Sequence, residues 1–187
     1  MAHDFSIIGR PLPRVDGLAK ATGQTRFADD LHLPRMLYGR LLRSVHAHAR
    51  IVRIDTSRAQ ALPGVHAVLT GADLPVRYGI LPVSQDEHAL CVDKVRFVGD
   101  PVAAVVAESR EVARDALELI VVDYEPLPAV IDLEEAASPG APRVYSEFPD
   151  NIAYVDRSGG GDVEEAFRQA DQVVRARIVN HRVAPLP

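Results

Sequence analysis

The chain has 187 residues, with 21 Lys+Arg against 26 Asp+Glu for a formal net charge of −5, and it is 47% hydrophobic and 25% charged. Such proportions belong to a globular chain rather than a disordered one, and area scaling lets a domain of this size bury roughly 70% of its extended surface. The acidic balance supplies no field for nucleic acid, the single cysteine excludes an internal disulfide or a cysteine-rich metal framework, and apolar runs such as Pro101–Ala107 fall far short of a membrane span.

Residues 1–35 are predicted to be irregular, because Pro11, Pro13, Gly17, Gly23 and Pro34 punctuate them before any periodicity begins. Asp29–Asp30 reads as a turn into the first regular element. Strands follow at Met36–Arg43 and Arg50–Asp55, the second alternating with period two. Thr56–Ser57 offers an N-cap for a short helix over Arg58–Leu62, stopped by Pro63–Gly64, and Val65–Thr70 is the next strand. Gly71–Glu87 reads as a long loop or short-strand excursion of the kind that carries function or covers an interface. Lys94–Val98 and Val102–Ala107 are strands around the bend Gly99-Asp100-Pro101. Ser109 caps a helix to about Leu119, and Ile120–Tyr124 is a strand, so Val102–Tyr124 reads as a β-α-β unit, right-handed if its strands are parallel.

Residues 36–138 thus form the predicted core, and 139–161, rich in Pro, Gly and polar residues, form a linker. Asp162-Val-Glu-Glu165 is a capping box for a helix ending near Ala170, and Gln172–Val183 a long strand, so that 162–187 is a helix and strand beyond the linker. This order of elements implies an α+β domain, a mixed sheet with a few packed helices.

Candidate chemistry is sparse. Ser158-Gly159-Gly160-Gly161-Asp162 precedes a helix, but it lacks a following Lys and sets a carboxylate where an anion would sit; it is a linker closed by an N-cap. His46 and His48 point to one side of a strand at a spacing metals use, without an evident third ligand. Cys91 between Leu90 and Val92 reads as a buried apolar residue rather than a nucleophile. The carboxylate pairs Asp29–Asp30, Asp86–Glu87, Glu134–Glu135 and Glu164–Glu165 are adjacent, so their side chains diverge and no acid–base pair results. Arg175 and Arg177 would face the same way along a strand, as a salt-bridged surface or an anion or partner contact.

Longer strings carry more. They are Asp16-Gly-Leu-Ala-Lys-Ala-Thr-Gly23 with Phe27-Ala-Asp-Asp30, Gly39-Arg-Leu-Leu-Arg-Ser44, His46-Ala-His-Ala-Arg-Ile51, and Ile54-Asp-Thr-Ser57 running to Pro63-Gly-Val65. Val95 to Ala107, continuing to Val122-Asp-Tyr-Glu-Pro-Leu-Pro128, completes the set. In this order the chain resembles the start of the molybdenum-binding large subunit of the xanthine dehydrogenase, aldehyde oxidase and carbon monoxide dehydrogenase family. Val76–Pro82 with Asp93-Lys-Val-Arg96 is most similar to the 4-hydroxybenzoyl-CoA reductase branch. Val45 departs from the Pro common before the His-Ala-His segment.

The resemblance implies an α/β-hammerhead domain within a molybdopterin-dependent hydroxylase or dehydrogenase, not catalytic alone. The whole enzyme would use molybdopterin cytosine dinucleotide, with [2Fe-2S] clusters and FAD on partner chains or domains. The partners implied are the molybdopterin-binding remainder of the large subunit, the iron–sulfur subunit and the flavin subunit, with no nucleic acid and no membrane, in the cytoplasm. Relatives continue after a stretch like His181–Pro185 into the cofactor-binding region, so a truncated product or a split subunit is expected, and no catalytic, cofactor-binding or metal-binding residue transfers to this chain. The expected substrate-funnel or iron–sulfur contact residues are Tyr78, Gly79 and Leu81 in the long loop and Gly99, Asp100 and Pro101 in the bend. The alternative is a freestanding, non-catalytic interaction or assembly module with the same fold.

Overall fold

The computed structural model describes residues 7–80 and 85–181. The chain divides into two compact units, Met1–Asn151 and Ile152–Pro187.

In the first unit a short helix, α1 (Gly17–Ala21), and a 3-10 turn (Ala28–Asp30) interrupt the segment predicted to be irregular. The Asp30 carboxylate accepts from the Phe27 amide at 2.9 Å and holds that turn. Strand β1 (Tyr38–Arg43) starts two residues later than expected and β2 (Ala49–Asp55) one residue earlier, and both end where predicted. Helix α2 (Ser57–Gln60) is shorter than expected, and its cap is not Thr56, whose side chain makes no capping bond. Asp55 does that work, accepting from the Ser57 amide at 3.0 Å and its hydroxyl at 2.7 Å. Strand β3 (Val65–Thr70) matches its expected range residue for residue. The long loop carries a two-residue antiparallel pair, β4 (Arg77–Tyr78) with β5 (Glu87–His88). Strands β6 (Lys94–Val95) and β7 (Pro101–Ala107), helix α3 (Arg110–Glu118), strand β8 (Val121–Pro126) and helix α4 (Leu133–Ala136) complete the unit.

The class is α+β, as the sequence implies. Every ladder among the described residues is antiparallel, in three sheets: β1-β7-β3, β6-β2-β8 and the β4-β5 pair. The expected β-α-β unit is therefore not a parallel crossover within one sheet. β7 and β8 belong to different sheets, and α3 links one to the other. Likewise β6 and β7 flank the bend without pairing to each other.

β7 is the central strand, which accounts for its unbroken apolar run. Ala103, Val105 and Ala107 point to one side, into a cluster with Ala59, Val68, Ala113, Ala116 and Ile120. Val102, one residue out of phase, points to the other side, where it packs with Ala49, Cys91 and Val95. Ser109 caps α3 by accepting from the Val112 amide at 3.1 Å. The alanines at 113 and 116, both fully buried, let α3 lie close against β1 and β7.

Residues 139–151, read as the start of the linker, are tied to the first unit. The Asn151 amide nitrogen donates to the carbonyls of Ala136 and Pro142, both at 3.0 Å, and its oxygen accepts from the Val144 amide at 2.9 Å. A Pro- and Gly-rich composition here marks irregular backbone, not slack.

The second unit contains α5 (Val163–Gln169), capped by Asp162, which accepts from the Glu165 amide at 2.9 Å. Glu165 does not return the bond of a full capping box; it pairs with Arg168 and accepts from Gln169. Residues 172–181 form no strand, contrary to expectation, and residues 182–183 lie outside the described set. An apolar-rich segment becomes a strand only when a neighbour receives its backbone hydrogen bonds, and none of the described residues does so.

Candidate functional site

The bend between β6 and β7 is built by reciprocal backbone bonds to the end of β1. The Ser44 amide donates to the Asp100 carbonyl at 2.9 Å, and the Gly99 amide donates to the Ser44 carbonyl at 2.8 Å. Arg43 adds a guanidinium bond to the Gly99 carbonyl at 2.8 Å. A register shift between Leu42 and Arg43 accommodates the turn. Gly99 sits at φ +97°, a conformation side-chain-bearing residues rarely adopt, so glycine is strongly favoured there.

Asp100 turns inward. Its carboxylate accepts from the Arg96 amide at 2.8 Å, closing the bend internally, and it also receives the Cys91 thiol. Burial first, and the neighbouring Asp100 carboxylate second, push the Cys91 thiol well above its ordinary range. The thiol stays protonated and is no nucleophile, in agreement with its reading as a core residue. The Cys91 amide in turn donates to the Pro101 carbonyl at 2.8 Å.

Tyr78, Asp100 and Pro101, three of the residues singled out from the sequence, border one cavity of about 510 Å3 together with Arg96, Phe97 and Tyr145. Gly99 and Gly79, both half-buried, do not border this cavity. Leu81 lies outside the described residues. Phe97 and Val98, at the tip of the bend, are 56% and 65% exposed, a pair of large apolar side chains held out by a rigid turn.

Two lining residues escaped sequence reasoning. Arg96 stacks its guanidinium 4.4 Å from the centre of the Tyr145 ring, donates to the Lys94 carbonyl at 3.2 Å and faces Asp93 at 3.7 Å. Its Nε, buried, has no partner among the described residues. Tyr145 lies in the stretch that composition marks as linker, and only its place as an aromatic amid Pro and Gly hinted at an anchoring role. Burial, then the nearby Asp86, push its phenol up.

The histidines separate. His46 packs its ring 4.8 Å from Tyr124, while Nδ1 of His48 bonds the Pro128 carbonyl at 2.7 Å. Among the described residues no three His, Cys, Asp or Glu side chains gather as metal ligands. With one cysteine in the whole chain, itself buried on Asp100, the donor set does not fit an iron–sulfur cluster. None of the described helices is long and apolar enough to cross a membrane.

The model of the aldehyde oxidase and xanthine dehydrogenase a/b hammerhead domain matches residues 22–128. The chain belongs to this hammerhead family. That range includes α2, α3, β1 to β8 and the whole bend. Among relatives, it is 44% identical to a probable xanthine dehydrogenase component of Bacillus subtilis, over 89% of this chain and 22% of that protein. It is 42% identical to the carbon monoxide dehydrogenase large chain of Afipia carboxidovorans, over 100% of this chain and 25% of the other. Among solved structures, a Cu,Mo-CO dehydrogenase in its carbon monoxide reduced state superposes with a TM-score of 0.68 at 45% identity, covering 78% of this chain and 19% of that one. The hammerhead chain therefore spans about a quarter or less of these relatives.

Proposed function

We propose that the chain serves as the hammerhead segment of the large subunit of a molybdopterin-dependent hydroxylase or dehydrogenase, and that it is not catalytic alone. The observation that carries this reading is the family match over residues 22–128, joined to relatives of which the shared region is about a quarter. In that setting the redox groups, molybdopterin in its cytosine dinucleotide form, [2Fe-2S] clusters and FAD, sit on other polypeptide: the remainder of the large subunit, the iron–sulfur subunit and the flavin subunit. When bound there, they supply the oxidation or reduction of substrate. A cytoplasmic setting goes with this reading.

The hammerhead's own part is to shape an approach and a contact. Tyr78, Gly79 and Leu81 in the long loop and Gly99, Asp100 and Pro101 in the bend form the funnel or iron–sulfur contact surface. The exposed Phe97 and Val98 at the tip of a hydrogen-bonded turn support that role, since rigid exposed apolar pairs suit a packed interface. Membership of the 4-hydroxybenzoyl-CoA reductase branch is the finer part of the proposal. It draws its support from the strings Val76–Pro82 and Asp93–Arg96.

The test is recovery of the native assembly through an affinity tag on this chain. Molybdenum and iron in constant ratio to the chain are expected, and Phe97→Asp should lower that ratio. A chain recovered alone and metal-free from cells that make the cofactor would overturn the reading in favour of a freestanding module.

A further inference from the structure

A second cavity, of about 550 Å3, is bordered by His48 and Arg50 from β2, Asp93 and Lys94 at β6, Pro128 after β8, and Arg143. Its volume is in the range of small-molecule sites. Three of these side chains are cations arriving from three separate stretches of sequence. The single lining carboxylate, Asp93, is engaged by Arg96 at 3.7 Å. Arg50 shares its charge with Glu125 at 3.4 Å, and Arg143 donates to the Phe148 carbonyl at 3.0 Å, so both guanidinium groups keep further donors.

Lys94 is the unusual member. It is only 8% exposed, and its ammonium has neither hydrogen bond nor ion pair among the described residues. Asp93 and Glu147 act on it through space, but burial and the neighbouring Arg96 outweigh them and hold its pKa below the ordinary lysine range. Its stem is buried while the ammonium keeps contact with solvent at the cavity, and a bound anion gives it the partner it lacks. His48, 9% exposed, also borders the cavity; with Nδ1 donating to the Pro128 carbonyl, its Nε2, unpartnered among the described residues, presents a lone pair and is no ligand for an anion.

We infer that this cavity binds a phosphate-class oxyanion, with Lys94, Arg143 and Arg50 as its ligands. Glu125 already answers Arg50 in part, which leaves Lys94 and Arg143 as the cations without a carboxylate in contact among the described residues. An oxyanion with several oxygens can reach both while taking a further donor from Arg50. Guanidinium forks match the paired oxygens of a phosphate, and the lysine adds a point charge. Inorganic phosphate and a diphosphate group on a small molecule share this chemistry and differ in how many of the three cations they reach.

The test is titration of the full 187-residue chain with inorganic phosphate and, separately, inorganic pyrophosphate at low ionic strength, followed by calorimetry and phosphorus NMR. One saturable site is expected. Pyrophosphate tighter than phosphate assigns a diphosphate ligand, and equal affinities assign a single phosphate. Lys94→Met should weaken binding about tenfold or more, and Arg143→Gln about fivefold. Arg143 is exposed, so its variant reports even if Lys94→Met fails to fold. Arg114→Gln, which removes the same charge from α3 away from the cavity, should leave binding unchanged. The inference is overturned by the absence of saturable binding, by Arg143→Gln binding as the parent does, by equal losses in Arg143→Gln and Arg114→Gln, or by an Asp/Glu-rich hexapeptide that displaces pyrophosphate at lower concentration.

Discussion

Ser44 and Asp100 lie 56 residues apart, yet the Ser44 amide donates to the Asp100 carbonyl at 2.9 Å, and Ser44 itself is almost fully buried. The end of β1 and the head of β7 are thereby one local structure. Ser44 also bonds within its own turn, its hydroxyl accepting from the His46 amide at 3.0 Å. Variants at the bend should therefore report on global stability as well as on the surface they form.

Gly99→Ala is expected to destabilise the chain by about 1–2 kcal/mol, the cost of a left-handed backbone for a side-chain-bearing residue. No heavy atom lies within 4 Å of the added methyl, so conformation alone sets the cost. Thermal unfolding should show a lowered midpoint, with a smaller loss for Gly99→Asn. An unchanged midpoint would mean that the bend relaxes without resistance.

Gly71→Ala should be more severe. The new Cβ would sit 2.2 Å from the Cys91 carbonyl oxygen and 2.8 Å from the Val92 Cα, where backbone has to move. A loss of about 3 kcal/mol or more is expected from overpacking of this kind. Urea unfolding checks it, and a midpoint within error of the parent's would show that the loop entrance yields freely.

The raised Cys91 pKa has a pH consequence. The folded chain keeps a proton that the unfolded chain releases above the ordinary thiol value of 9.0, so stability falls as pH rises beyond about 9. The slope from this group is at most about 1.4 kcal/mol per pH unit. Denaturant midpoints at pH 7.5 and 9.5 should converge in Cys91→Ala relative to the parent. Identical pH dependence in both proteins would remove Cys91 as the cause. Native Cys91 should also react with iodoacetamide far more slowly than it does in urea.

Val105→Ala removes two methyl groups from a fully buried position beneath α3 and should cost about 2–3 kcal/mol through lost burial plus the cavity left behind. Val121→Ala, on a half-exposed strand position, should cost well under 1 kcal/mol. Similar losses for the two would contradict the burial difference between them.

Local pattern carried much of the fold. β3 was legible because Val65–Thr70 is bounded by Gly64 and Gly71, and β7 because a short, valine-rich apolar run set between the Gly99-Asp100 bend and Ser109 fits a strand covered on both sides. Pairing was not legible. Nothing in Val102–Tyr124 says that β7 and β8 belong to different sheets, since their partners β1, β3 and β2 all lie outside that stretch, the nearest pair, Thr70 and Ala103, being 33 positions apart. The same limit explains residues 172–181, where a strand was expected but no ladder among the described residues receives it. At the cavity, Tyr78, Asp100 and Pro101 were accessible through loop length and turn chemistry. Arg96 and Tyr145 were not, because their stacking joins a strand end to a stretch whose composition reads as linker.

β7 hands Val102 to one apolar cluster and Ala103, Val105 and Ala107 to the other. A strand shared in this way makes the two clusters lose their packing together, so the first unit melts in one cooperative step and not layer by layer. The slowest amide protons to exchange with solvent should be those of β7. The bend at its head inherits that rigidity without having a core of its own.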